Sequence, residues 1–278
     1  MTGATGNVGG ALVRMLAADG EQVTATSRNI SAADVPDGVR HVRADLTDAD
    51  GLRPVLDGAD ALFFQNGGGS AHLIDTHAVL DAAKAGGVRR VVLLSSQGVA
   101  TRPDSASHGV VTKAIEDAVM ASGLDWTILR PGGFNSNTYA WIESVRASRT
   151  VASPFGDVGL PTIDPSDIAA VGASALREDG HAGQVYVLTG PAIVTPKQQA
   201  EAIGEALGEP IQFVELTADQ ARAHMAQFMP EPVIETTLSI LGEPNEAELR
   251  ISPDVERVLG RAARSYADWA RDNAPAFR

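Results

Sequence analysis

Over the first 130 residues, short apolar runs alternate with segments whose apolar positions recur at helical spacing. That is the pattern of a parallel sheet wrapped by helices. A helix is predicted from Gly9, with Leu12, Met15 and Leu16 on its buried face. Residues 22–27 and 39–42 read as strands, 59–64 as a fully apolar strand, and 71–85 as a helix. The clearest buried strand is 90–95, where Val91, Val92, Leu93 and Leu94 run together. A helix from about His108 to Ala121 stops at Gly123, and 126–129 is the next strand. After Pro131 strict alternation is lost. Strands are predicted at 184–188 and 211–216, among helices near 165–178, 196–207, 217–228 and 262–272. The expected fold is α/β: a doubly wound parallel sheet, Rossmann-like, with a smaller, mostly helical C-terminal lobe.

The segment ahead of the first helix carries chemistry. Gly3, Gly6 and Gly9 stand at three-residue intervals and lead directly into the helix. A pyrophosphate is well held at a helix N-terminus, where unpaired N–H groups and the helix dipole favour negative charge. Glycines let the backbone turn sharply and approach the phosphates, and the last permits close helix–strand packing. Residues 1–150 are therefore expected to form a dinucleotide-binding core. Residues 151–278 should supply the last sheet strands and a substrate-side lobe that is not an independent domain. Only Met1 and Thr2 precede Gly3, although such a loop should follow a central strand. A sheet lacking that strand has a slot through its middle, and the expectation is that a few N-terminal residues precede those given.

The second strand bears on the choice of cofactor. NAD sites usually end it with an acidic residue for the ribose 2′-hydroxyl, whereas NADP sites place an arginine nearby. Here it ends Thr26-Ser27-Arg28-Asn29, with no carboxylate before Asp34. Arg28 could pair with a 2′-phosphate while Ser27 donates a hydrogen bond. NADP(H) is the expected cofactor, with NAD(H) not excluded.

Composition narrows the remaining classes. The chain has 278 residues, a formal charge of −13 and no basic run, which argues against a nucleic-acid partner. It has no cysteine, so disulfides, thiolate metal sites and cysteine nucleophiles are absent, and a reducing cytoplasm fits. No stretch approaches the ~18 apolar residues of a membrane span. No metal-ligand spacing exists either, because His72 and His77 do not share a helix face. Asp164 and Asp167 look like an acidic helix start, with Asp164 or Ser166 as the cap.

With Gly3 to Gly9, Asp45-Leu46, Ser95-Ser96 and Leu129-Arg130-Pro131-Gly132-Gly133-Phe134 in view, the chain resembles the atypical short-chain dehydrogenase/reductases, and among them the NmrA-like NAD(P)H-binding proteins. Thr127-Ile128-Leu129-Arg130-Pro131 with Phe134 and Asn135, Ile163-Asp164-Pro165 and Tyr186-Val187-Leu188-Thr189-Gly190 extend the likeness over essentially the whole chain. The resemblance implies that Thr5, Gly6, Asn7 and Val8 hold the pyrophosphate and Arg28 the adenosine end. It further implies that Asp45 and Leu46 flank the adenine, that Asn66 passes the ribose, and that Ser95, Ser96 and Pro131 border the nicotinamide.

One departure matters for catalysis. Short-chain enzymes carry Tyr-x-x-x-Lys, in which the lysine lowers the tyrosine's pKa for proton exchange with a carbonyl oxygen. Here the sequence is Gly109-Val110-Val111-Thr112-Lys113, with the lysine in place and glycine where the tyrosine would stand. His108, Ser96 and Lys113, the last through a held water, are the candidate substitutes; each also has a plain surface or packing reading. Phe134, Tyr139 and Trp141 could build an apolar acceptor pocket or simply pack in the core. Two functions stay open. One is an NADPH-dependent reductase of a small-molecule, electron-poor acceptor such as a quinone, azo compound or activated alkene, which needs hydride delivery more than a strong protein acid. The other is a non-catalytic redox sensor acting on a protein partner. A homodimer is compatible with either.

Overall fold

The computed structural model describes residues 1–65, 68–105 and 109–278, with backbone alone for 68–70. The first half runs Asn7–Ala18 (α1), Thr24–Ser27 (β1), Arg40–Arg43 (β2), Ala49–Leu56 (α2), Ala61–Gln65 (β3), Thr76–Ala85 (α3), Arg90–Leu94 (β4), Gly98–Thr101 (α4), Val111–Ala121 (α5) and Asp125–Pro131 (β5). The second half runs Ile142–Ser148 (α6), Thr150–Pro154 (β6), Pro165–Arg177 (α7), Gln184–Leu188 (β7), Pro196–Leu207 (α8), Gln212–Leu216 (β8), Ala218–Met225 (α9), Glu231–Gly242 (α10), Asp254–Leu259 (α11) and Tyr266–Asn273 (α12).

Strands β3-β4-β5-β7 form one parallel sheet in that order, and β1 pairs β2 in parallel beside it. The strands are doubly wound because their side chains alternate between two apolar layers. Leu62, Phe64, Val91, Leu93 and Ile128 face the layer built with α2, α3 and α5. Phe63, Val92, Leu94 and Leu129 face the layer built with α1 and α7.

The expected slot is present, and the two residues ahead of Gly3 span its upper end. The N–H of Thr2 donates to Phe63 O (3.0 Å) on the β3 side, and the N–H of Thr26 donates to Met1 O (2.8 Å) on the β1 side. The Thr2 hydroxyl and the Gln65 N–H close the same joint at 2.8 Å. Below Met1 the strand edges diverge around a cavity of about 1150 Å³, lined by Leu16, Val23, Thr24, Leu56, Leu62 and Phe63 among others. Two backbone residues thus hold the β1–β2 pair in line with the main sheet.

The second half adds one strand to the sheet and a separate lobe. β7 extends the sheet beyond β5 as expected. The other expected strand does not join it: β8 pairs with β6, an element the sequence pattern did not mark. Val145 and Val151 pack there with Ala200, Ile203, Tyr266, Trp269 and Phe277 in a core of their own. Helix starts follow their caps rather than hydrophobic periodicity. Asp75 accepts from Ala78 N–H, so α3 begins at Thr76 after a 3-10 run over Gly68–Leu73. Ser265 accepts from Asp268 N–H, so α12 begins at Tyr266 rather than near 262. Among the described residues no helix is long and apolar enough to cross a membrane.

Candidate active site

The glycine loop lies at the C-terminal edge of the strands, where open α/β sheets bind their ligands. Each glycine has a separate reason. Gly3 adopts φ +66°, and a Cβ there would run into the Gln65 side chain. A Cβ on Gly9 would fall 2.0 Å from Gly3 O, so α1 can approach the loop only without a side chain at this position. A Cβ on Gly6 would meet only Gly3 O, at 3.3 Å, and otherwise open space.

The start of α1 differs from those helix starts that a side chain caps. Asp164, Thr195, Thr217 and Ser265 each cap a helix by accepting a backbone N–H, with Asp164 serving α7. The N-cap of α1 is Gly6, no side chain caps it, and its first turn holds no acidic residue. Its first N–H groups are left for an anion, which fits a pyrophosphate. Beside the loop, a cavity of about 390 Å³ is lined by Thr5, Gly6, Asn7, Ser136, Tyr139 and Asp164. The Asn7 amide reaches across to the Ser136 hydroxyl (2.9 Å), tying the loop to the segment after β5.

At the adenosine end, the Thr5 and Ser27 hydroxyls are 2.9 Å apart. Arg28 is exposed and has no ion pair among the described residues. Asp45 accepts from the N–H and hydroxyl of Thr47 (3.0 and 2.9 Å). These bonds, with the Arg28 charge adding to them, hold its carboxyl below the usual value. Leu46 packs against the layer built with α2, α3 and α5.

At the ends of β4 and β5, the predicted polar residues have other partners. The Ser95 hydroxyl donates to Glu116, a wholly buried carboxylate on α5. Arg130 closes on the same carboxylate through two bonds of 2.9 and 2.5 Å. A buried ion pair lacking one partner is strongly unfavourable, so this cluster fixes β4, β5 and α5 to one another. The residue types in isolation did not reveal it, because Glu116 reads as an ordinary helix-surface residue until α5 docks. Ser96 Oγ accepts the Gly98 N–H (3.1 Å). The Lys113 ammonium is taken up by Asp117 at 2.7 and 2.6 Å and is about half exposed. A Cβ on Gly109 would lie 2.3 Å from the carbonyl oxygens of both Arg102 and Pro103, so backbone occupies the space a tyrosine would need. His108 and Asn66 lie outside the described residues.

The segment over Gly109 is clamped from the C-terminal lobe. Arg102 donates to both oxygens of buried Glu248 (2.8 and 2.9 Å), to Ser239 Oγ and to Glu243 O. Burial pushes the Glu248 carboxyl up, but its bonds from Arg102 and Asn245 outweigh this and leave it below the ordinary value. Phe134 packs against the layer built with α1 and α7, and Trp141 against the lobe core. Tyr139 packs at 5.4 Å from Trp269 and donates to Asn273 (2.6 Å), while also lining the cavity at the loop.

Over its whole length the chain is 35% identical to the (4-alkanoyl-5-oxo-2,5-dihydrofuran-3-yl)methyl phosphate reductase of Streptomyces griseus, covering 98% of that protein. It is 30% identical, with the same coverage, to an NAD(P)H azoreductase of Xenophilus azovorans. Its fold matches an Escherichia coli NADPH-dependent quinone oxidoreductase complexed with NADPH, at TM-score 0.78, 23% identity and 98% coverage of both chains. Residues 3–179, spanning the glycine loop, all of the main sheet except β7, and α7, match the family described as NAD(P)H-binding. The chain belongs to that NAD(P)H-binding family.

Proposed function

We propose that this protein is an NADPH-dependent reductase of small, electron-poor acceptors: quinones, azo compounds or activated alkenes. The observation that carries this reading is the full-length likeness to two named reductases, 35% and 30% identical. One acts on an alkanoyl dihydrofuranone phosphate and the other is an azoreductase. When bound, the dinucleotide supplies the hydride. The uncapped N-terminus of α1 with Thr5, Gly6, Asn7 and Val8 receives the pyrophosphate, and Asp45 and Leu46 flank the adenine. Unpaired Arg28, with the hydroxyls of Thr5 and Ser27, favours the 2′-phosphate and hence NADP(H) over NAD(H). Ser95, held by Glu116, and Pro131 border the nicotinamide end. A cysteine-free chain goes with a cytoplasmic location.

The test is NADPH oxidation, followed by its absorbance, with a panel of quinones, azo dyes and unsaturated lactones. Turnover with at least one class is expected. If no acceptor is reduced while NADPH still raises the melting temperature, the protein binds the dinucleotide without reacting, and the sensor reading replaces this one.

A further inference from the structure

Hydride addition to a quinone, an azo bond or an activated alkene leaves negative charge on an oxygen or nitrogen of the conjugated system. A proton from water then neutralises it, so the acceptor gains one hydride and one proton while the reduced dinucleotide is oxidised. Until that proton arrives, a fixed hydrogen-bond donor at the charged atom lowers the barrier. Most polar groups at this edge of the sheet are occupied. The Ser95 hydroxyl is spent on Glu116, Ser96 Oγ is turned onto the Gly98 N–H, and Lys113 is held by Asp117. Gly109 has no side chain and no room for one. The amide of Asn135 lacks a partner among the described residues but is wholly buried, out of reach of a ligand.

Gln97 differs from all of these. Its backbone N–H donates to Pro131 O (3.0 Å), which fixes it across the ends of β4 and β5. Its side-chain amide lies against Gly132, with Nε2 3.4 Å from where a Cβ on that residue would stand, which is ordinary van der Waals contact. The residue is partly open and its amide has no hydrogen-bond partner among the described residues. We propose that the Gln97 amide is the donor that holds the acceptor's oxygen or azo nitrogen as charge develops there. The assignment rests on the reductase reading. It makes Gln97 a stabiliser of charge rather than a source of protons, and it selects acceptors whose far atom can accept an N–H.

Gln97→Met keeps the shape and removes the donor; Gln97→Glu keeps the size and adds an ionisable group. Gln97→Met is expected to lower kcat by about tenfold to a hundredfold, as loss of one such donor does. The NADPH-induced rise in melting temperature should be unchanged, showing that the fold and cofactor site are intact. In Gln97→Glu, activity should fall with rising pH as the new carboxyl ionises, a limb absent from the parent profile. A binding readout is independent of turnover: with NADP+ saturating, bound 4-nitrophenol should ionise at lower pH in the parent than in Gln97→Met. The proposal is overturned if Gln97→Met keeps the parent kcat and probe titration, if Gln97→Glu shows the parent pH profile, or if Ser96→Ala abolishes a probe shift that Gln97→Met leaves intact. A parent protein that reduces no acceptor sinks the reductase reading instead, while the probe titration still reports on Gln97.

Discussion

A Cβ on Gly109 would lie 2.3 Å from the carbonyl oxygen of Arg102, so backbone fills the space that a side chain at this position would need. That backbone is anchored, because the Arg102 guanidinium is bound to Glu248, Ser239 and Glu243 O. Gly109→Tyr should therefore disrupt packing rather than restore a proton donor. Overpacking of this kind costs about 1–3 kcal/mol or more. Thermal unfolding should show a lower melting temperature, and NADPH oxidation no gain in kcat; a stable variant with raised activity would contradict this account.

The glycines of the loop should separate in their effects. In Gly9→Ala the methyl meets Gly3 O at 2.0 Å and the backbone must shift, destabilising the protein by about 1–3 kcal/mol. In Gly6→Ala the nearest atom is 3.3 Å away and φ is −82°, which alanine adopts, so apo stability should change little. Melting temperatures with and without NADPH make the comparison. Gly9→Ala should melt early in both conditions, whereas Gly6→Ala should lose mainly the increment due to NADPH.

Among the described residues Arg28 has no ion pair, so its replacement tests recognition without a large structural effect. Arg28→Ala should weaken NADPH binding by roughly tenfold or more, about 1.4 kcal/mol, and leave NADH nearly unaffected. Titrations with both dinucleotides decide the matter. Equal losses for the two would mean that Arg28 does not meet the 2′-phosphate.

In a chain that begins at Met1, the α-amine of that residue should make stability depend on pH. It is enclosed between β1 and β3, where it donates to Thr24 O at 2.8 Å. Burial lowers its pKa from 8.0 to about 6. Between these values the unfolded chain binds the proton and the folded chain does not, so stability rises with pH through the window. As pH falls to about 6 the benefit is lost, amounting to about 2–3 kcal/mol for a shift of this size. Urea midpoints across the window measure it, and acetylating the α-amine of the 278-residue chain should flatten that part of the dependence. An unchanged profile after acetylation would refute the assignment.

By itself the sequence determined the glycine loop, the parallel strand–helix alternation and the absence of an acidic residue at the end of β1. Each is a local signal: glycine spacing beside a helix start, apolar runs of strand length, and residue type at one position. The slot was legible too, from the two residues ahead of Gly3. Pairing partners were not, because β6 and β8 find each other across 57 residues of intervening chain, and nothing local in Thr150–Pro154 announces a strand. At the ends of β4 and β5, tertiary structure decided the Ser95–Glu116–Arg130 cluster. Docking of α5 gives the Ser95 hydroxyl Glu116 as its partner, whereas Ser96 and Lys113 are taken up locally, by the Gly98 N–H and by Asp117 one turn along the same helix. Gln97 drew no notice in the chain, and among the described residues its amide has no hydrogen-bond partner. Hydrogen bonding is a competition for partners in space, and its outcome is set only when distant segments have packed.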